Sequence, residues 1–300
     1  MNGKFTNTSI IAGIAALASG VSSAAADEMW AVSASSDSLF VFDSDTGATV
    51  RVVGPLGTDP VGYQTAGSMA VDDAGRIFII NNSPAPVSNL SRVDPETGRA
   101  THIGGDVFFS LSFGPDGQLF GLNLAGRLCT VDTTTGLTTS LGGPILPTVL
   151  GLDYNRRDGF LYGVTSERFG AIVALLRIDP ATGDFTSIPM STSVRGSAPG
   201  SIAFQRDGDL IMTENGFVLW EVDIVSGEMT QITTTADIAQ GLGLMPCLPD
   251  FDASGDLDLF DFLAFQNAFD AGDPAADLDG DGVLTIFDFA AFRDTFDAGC

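Results

Sequence analysis

Lysine and histidine are almost missing from this 300-residue chain, each occurring once, as Lys4 and His102. With a single histidine, any Ser-His-Asp or Cys-His nucleophilic site would have to be built around His102. That residue lies in Thr101-His102-Ile103, a setting matched by Thr139-Ser140-Leu141, Thr186-Ser187-Ile188 and Thr230-Gln231-Ile232. The repeat of the setting without histidine makes it a solvent-facing position on an outer strand, so nucleophilic triads are not expected. Three cysteines and one histidine do not supply a Cys/His zinc site. No glycine-rich phosphate loop or dinucleotide fingerprint occurs. Lys and Arg number 13 against 38 Asp and Glu, a formal net charge of −25, which argues against nucleic acid or anionic membrane as partners. Beyond the first residues there is no apolar run long enough to span a membrane.

The one continuous apolar run, Ile10 to Val21, follows Lys4 and precedes Ala24-Ala25-Ala26. A basic residue, an apolar core of about a dozen residues and an A-x-A site together predict a secretory signal over residues 1–26 and an exported protein.

Residues 27–246 carry a repeat punctuated by glycine and proline. One element ends in Gly and an apolar pair: VDDAGRIF (71–78), FGPDGQLF (113–120), YNRRDGFLY (154–162) and FQRDGDLI (204–211). The other is an aspartate turn: Asp43 to Gly47, Asp94 to Gly98, Asp132 to Gly136, Asp179 to Gly183 and Asp223 to Gly227. Short strand-like segments such as LFVFD, LSRVD, LCTVD, LLRID and LWEVD lie between them, and helical periodicity is absent. Units of 40–50 residues with four short strands each predict a β-propeller. Five aspartate turns against four glycine hairpins predict five blades, the first closed by Gly241 to Leu244 joining the N-terminal strands; a β-sandwich is the fallback. In the turns, Asp and Thr cap locally and Gly takes positive φ, so their recurrence is structural.

Six residues after each hairpin glycine stand Asn81, Asn123, Thr165 and Glu214, with Ser33 the counterpart in the first blade. This register predicts a polar ring at the mouth of the channel, able to hold a glycan, small ligand or cation. One glutamate falls short of the paired carboxylates of a glycosidase unless Glu167 or another loop acid contributes.

Residues 247–300 form a second unit. A 27-residue step superimposes Asp250, Asp252, Gly255, Asp261, Phe262, Phe265, Phe269 and Asp270 on Asp277, Asp279, Gly282, Asp288, Phe289, Phe292, Phe296 and Asp297. Each half is a twelve-residue acidic loop running into a helix with an aromatic face. Calcium takes six to eight oxygens, which EF-hand loops supply from positions 1, 3, 5, 7, 9 and 12 around a glycine at 6. Two Ca²⁺ sites are therefore expected. The first is Asp250, Asp252, Ser254, the Asp256 carbonyl, Asp258 and Asp261; the second is Asp277, Asp279, Asp281, the Val283 carbonyl, Thr285 and Asp288. Ser254 replaces a carboxylate, so the first loop is expected to bind more weakly. The six phenylalanines of the two stripes are expected to form an internal core. Cys247 and Cys300 bracket the unit, and a disulfide between them would tie its ends in an oxidising compartment; sequence alone does not fix the pairing. Cys129 reads as an inert buried thiol.

A full EF-hand has a helix before its loop, but Cys247-Leu248-Pro249 and Asp273-Pro274 precede these loops and would not make one. Duplicated loop-plus-helix halves of this kind resemble dockerin modules, over roughly a sixth of the chain. The ending Ala298-Gly299-Cys300 further resembles a dockerin-like variant on secreted proteins of environmental bacteria. The resemblance implies calcium-dependent docking to a protein partner, cohesin in the cellulosome. Loop positions 10 and 11, small hydroxyl residues in typical dockerins, are Leu259-Phe260 and Ile286-Phe287 here. These four become the candidate partner surface, while the cohesin partner itself does not carry over.

The resulting expectation is a secreted, non-catalytic binding protein that is docked to a surface or complex through its C-terminal unit. The alternatives are a secreted propeller-type hydrolase of glycosidase or lactonase kind, and a structural cell-surface component.

Overall fold

A computed structural model describes residues 27–57, 66–81, 89–106, 108–123, 125–144, 146–166, 172–191, 199–247, 249–252, 254, 257–278 and 282–298. The expected signal segment lies outside them. Twenty strands form five four-stranded antiparallel sheets. In four of them the strands run in chain order from the axis outward. The first blade differs: its innermost strand is Ala239–Leu244, followed outward by Glu28–Ser33, Ser38–Asp43 and Thr49–Pro55. Met29 pairs with Leu244 and Ala31 with Leu242, so the closure expected from Gly241 to Leu244 is formed. The other innermost strands are Ala66–Val71, Phe108–Phe113, Val149–Asn155 and Pro199–Phe204, and each innermost strand packs against the next around a complete ring. The fold is a five-bladed β-propeller followed by two helices.

The inner strands are apolar at consecutive positions, and the packing gives the reason. Each blade is buried on both faces, as in any sheet covered on both sides. Ile77 and Ile79 enter the seam with blade one, beside Trp30, Val32, Leu39 and Val41. Phe78 and Ile80, pointing the other way, enter the seam with blade three beside Leu111, Phe113 and Val131. Three further clusters fill the remaining seams, so the core consists of five wedges between blades. Fully burying one such side chain contributes about 1.5–3 kcal/mol.

The aspartate turns serve these seams as well as their own blades. Asp43 Oδ1 accepts from the backbone N–H of Asp45 (3.1 Å) and Thr46 (2.8 Å). Asp132 is held down to about 2 by the Thr134 hydroxyl and then by the N–H groups of Thr134 and Thr135. Gly98, at φ +75°, also lies against the Gly54 carbonyl of blade one, where a methyl group would overlap the backbone. Gly47, Gly136 and Gly227 meet the backbone of Thr234, Gly104 and Pro189 in the preceding blades in the same way. In four of the five turns the glycine thus has a tertiary cause that local turn chemistry does not show, while Gly183 makes only ordinary contacts.

The C-terminal helices are α1 (Leu259–Ala271) and α2 (Ile286–Ala298). Asp258 caps α1 by accepting from Phe260 N, while Asp261 Oδ2 accepts from Asp258 N (2.8 Å), a complete capping box. Gly272, in left-handed conformation, terminates the helix. Phe265 and Phe292 stack at 4.5 Å between the helices, surrounded by Phe251, Phe269, Phe289 and Phe296. Phe262 departs from the expected core, remaining 39% exposed at the edge of the cluster.

Candidate functional site

The first acidic loop gathers its carboxylates. Ligand atoms of Asp250, Asp252 and Asp261 all lie within 4.8 Å of one another. Local hydrogen bonds hold them there: Ser254 N donates to Asp250 Oδ1 and Asp252 Oδ1, both at 3.0 Å. Asp261, fully buried, accepts from Asp252 N (3.3 Å) and Asp258 N (2.8 Å). The position-12 aspartate is therefore loop ligand candidate and helix cap at once. Asp258, the position-9 residue, accepts from Phe260 N through Oδ1 and so is tied to the helix cap. Three converging carboxylate oxygens, each with further lone pairs, form a hard-oxygen set of the kind that suits calcium or magnesium.

The second loop repeats this plan. Asp288, fully buried, accepts from Leu278 N (2.9 Å) and Thr285 N (2.7 Å), and the Thr285 hydroxyl accepts from Phe287 N. Asp277 Oδ2 accepts from Gly282 N (2.8 Å), while its Oδ1 is buried with no hydrogen-bond partner among the described residues. A buried carboxylate oxygen without a donor is costly unless a cation meets it, and this orphan atom fits a metal at position 1. Asp256, Asp279, Asp281 and Cys300 lie outside the described residues. Val283 is exposed, as are Leu259 (68%), Phe260 (63%), Ile286 (72%) and Phe287 (67%), the four residues singled out as a partner surface.

The polar ring of the propeller exists as a register. Ser33, Asn81, Asn123, Thr165 and Glu214 pair with Ala239, Ala66, Phe108, Val149 and Pro199, in each case the first residue of the innermost strand. Their side chains, however, serve local structure. Ser33 Oγ donates to Asp237 Oδ2 (2.7 Å), and Asn123 Oδ1 accepts from the N–H groups of Ala125 and Arg127. Thr165 Oγ1 exchanges bonds with the backbone of Ala174, and the buried Glu214 accepts from Trp220 Nε1 (2.7 Å). The side chain of Asn81 and the residue Glu167 lie outside the described set. Near Asn123, a cavity of about 330 Å³ lined by Phe109, Leu122, Leu146, Pro147 and Val149 opens between blades three and four, without converging polar groups.

His102 corrects its expected position. It stands on the outermost strand of blade two but is half-buried, and its Nδ1 is enclosed without a hydrogen-bond partner among the described residues, opposite Ser91. Cys129 is buried and donates to the Gly121 carbonyl; burial pushes its thiol up to about 11, so it is inert.

A carboxylate that sequence reading missed lies on the innermost strand of blade four. Asp153 Oδ2 accepts from Phe204 N (2.7 Å) on blade five, and Oδ1 accepts from the Ser112 hydroxyl (3.1 Å) on blade three. Desolvation between the three strands raises it to about 6, with the two hydrogen bonds and Arg156 acting the other way. The folded state thus holds its proton more tightly than the unfolded chain. Stability from this group is present below pH 4 and lost as pH rises towards 6, by about 2–3 kcal/mol. In Asp153→Asn, urea unfolding at pH 4 and pH 6.5 should differ less in this direction than in wild type; an identical pH slope would remove Asp153 as its source.

No family model matches the chain, and no curated protein does. Solved structures of similar shape include a gluconolactonase from Xanthomonas campestris, 16% identical over 72% of this chain and 79% of that one, with a TM-score of 0.46. A Bacteroides thetaiotaomicron protein of unknown function is 17% identical over 75% of this chain, with a TM-score of 0.46, and the chain spans 62% of its length. Virginiamycin B lyase from Staphylococcus aureus is 18% identical over 69% and 66%, with a TM-score of 0.41. These likenesses are too distant to carry an activity. The class of the protein, a five-bladed propeller with a two-helix C-terminal unit, rests on strand order and closure.

Proposed function

We propose that this is a secreted, non-catalytic binding protein whose C-terminal unit binds two calcium ions and docks the propeller to a surface or extracellular complex. The observation that carries the reading is the convergence of Asp250, Asp252 and Asp261, repeated in plan by Asp277 and Asp288 with the orphan oxygen at Asp277. Bound calcium would neutralise these carboxylates and supply folding energy to a small unit that repels itself without metal. The residues that would hold it are the two sets named from the sequence, with Asp261 and Asp288 orienting loop against helix. The exposed Leu259, Phe260, Ile286 and Phe287 open the two helices and supply an apolar surface for a protein partner. A Cys247–Cys300 disulfide would close the unit and belongs to the same proposal. The non-catalytic reading draws support from the ring residues, whose described side chains are engaged in their own turns and strands.

Calorimetric titration of the chain tests the metal. Two equivalents of Ca²⁺ should bind, and Asp277→Ala should remove one of them; absence of any calcium uptake at millimolar concentration would overturn the proposal. Docking is tested by calcium-dependent capture from envelope fractions, which replacement of the four apolar residues by serine should abolish without loss of calcium binding.

A further inference from the structure

The expected cleavage site and the fold meet at one residue. Cleavage after Ala24-Ala25-Ala26 would leave Asp27 first in the chain, and Asp27 is already built into the propeller, only 7% exposed. Its carbonyl accepts from Ser44 N (3.0 Å) in the aspartate turn of blade one. Its carboxylate meets Arg206 of blade five at both oxygens, Nη1 on Oδ1 (2.5 Å) and the backbone N–H on Oδ2 (2.9 Å). Its own N–H makes no hydrogen bond among the described residues, so a cut at this point removes none of them. The charges around the residue do not balance. Ser44 lies between Asp43 and Asp45, Asp207 follows Arg206, and Glu28 follows Asp27. Against these carboxylates stand Arg206 and, bonded to the Arg206 carbonyl through Nη2 (3.0 Å), Arg157. Burial, and after it the charges of Asp207 and Asp45, disfavour ionised Asp27, with Arg206 acting the other way. Hydrolysis of the Ala26–Asp27 amide by a signal peptidase consumes one water. It leaves a carboxylate on Ala26 and an ammonium on the α-carbon that carries the Asp27 side chain.

We propose that cleavage before Asp27 completes the closing seam, because the α-ammonium it creates becomes the second cation of the Asp27–Arg206 latch. The inference shares the expectation of export with the reading above and does not depend on calcium. In the uncut chain the nitrogen is a neutral amide, and Arg206 alone is bonded to the Asp27 carboxylate. In the processed chain a positive charge sits on Asp27 itself, close to the turns that carry Asp45 and Asp207. Blades one and five are then fastened most firmly once the leader has gone. The carboxylates hold the proton of the ammonium more tightly in the folded state than in the unfolded chain. Its contribution is therefore complete below about pH 7.7 and lost as pH rises beyond that.

The composition allows a selective test. Lys4 is the only lysine, so a chain beginning at Asp27 has a single amine, and an amine-selective acetylating reagent neutralises that group alone. The processed chain, free and acetylated, is unfolded in urea with chelator present and followed by tryptophan fluorescence. Acetylation should raise the unfolding constant at pH 7 by about three- to tenfold, and a Gly-Ser extension before Asp27 should do the same. Both differences should close by about pH 10, where the free chain has lost the proton of its ammonium. Equal unfolding constants at pH 7 overturn the proposal. So does a difference that persists unchanged at pH 10, which marks a steric effect of the added group. A second measurement covers a modified chain that fails to refold. The acetylation rate of the free chain, followed against pH, should show a midpoint about 0.5–1 pH unit higher in the native state than in urea; an equal or lower midpoint overturns the proposal. An exported protein whose first residue, by N-terminal sequencing, is not Asp27 removes the cleavage and the proposal with it. None of these outcomes bears on calcium uptake.

Discussion

Replacing Arg206 with alanine should lower the unfolding free energy by about 3–5 kcal/mol. Arg206 Nη1 lies 2.5 Å from Asp27 Oδ1, its backbone N–H donates to Asp27 Oδ2 (2.9 Å), and its Nη2 donates to Met245 O. Asp27 leads into the second strand of blade one, and Met245 follows the innermost strand, so one side chain from blade five fastens both chain segments that complete the ring. Both side chains are nearly buried, 13% and 9% exposed. Desolvation raises Asp27 above its ordinary value even with the guanidinium beside it, so the pair carries an uncompensated cost. The loss on truncation is then mainly the penalty of an unpartnered buried charge. Asp27→Leu combined with Arg206→Met should recover most of it. Trp30 in blade one and Trp220 in blade five report on unfolding of the two blades that the pair joins. A urea midpoint moved by less than the equivalent of 1 kcal/mol in Arg206→Ala would show that the seam holds without the pair.

Asp261→Ala should unfold the C-terminal unit. The carboxylate is fully buried and accepts two backbone N–H groups, from Asp252 and Asp258. Both donors would be left without an acceptor, at about 1–3 kcal/mol each. A unit of this size has little stability in reserve. Asp288→Ala, which orphans the N–H groups of Leu278 and Thr285, should act alike. Asp261→Asn keeps one acceptor oxygen and should be milder. The readout is the helical circular dichroism signal, to which the propeller contributes little, together with limited proteolysis. Retention of that signal and of protease resistance in Asp261→Ala would sink the assignment of a structural role to position 12.

The blade count and the closure were legible because every blade carries an aspartate turn, all but the first carry a glycine hairpin, and Gly241 to Leu244 resembles an innermost strand. Local chemistry sufficed for these. It did not suffice where the partner is distant in sequence: nothing near Asp27 announces Arg206, 179 positions away, and nothing near Gly98 announces the carbonyl of Gly54. Asp153 was invisible for the same reason, since its acceptor role spans three blades. The ring at the mouth shows the opposite failure. Counting from the hairpin glycine reaches Asn81, Asn123, Thr165 and Glu214, with Ser33 their counterpart in blade one, each paired with the first residue of an innermost strand, but register does not say where a polar side chain finds its hydrogen bond. In the acidic loops, spacing named Asp250, Asp252 and Asp261 together; that Asp261 would also cap its helix follows only from the turn geometry.

Blade one is assembled from segments some 200 residues apart, with Met29 pairing Leu244. Every other blade can form from consecutive hairpins as soon as its residues are available, whereas this one waits for nearly the whole propeller to be made. Until then Glu28–Ser33 offers an unpaired edge and two of the five wedges lack a wall. Closure is therefore the slow, high-contact-order step of folding. It is also what makes unfolding cooperative, because no blade can leave the ring without opening two wedges at once.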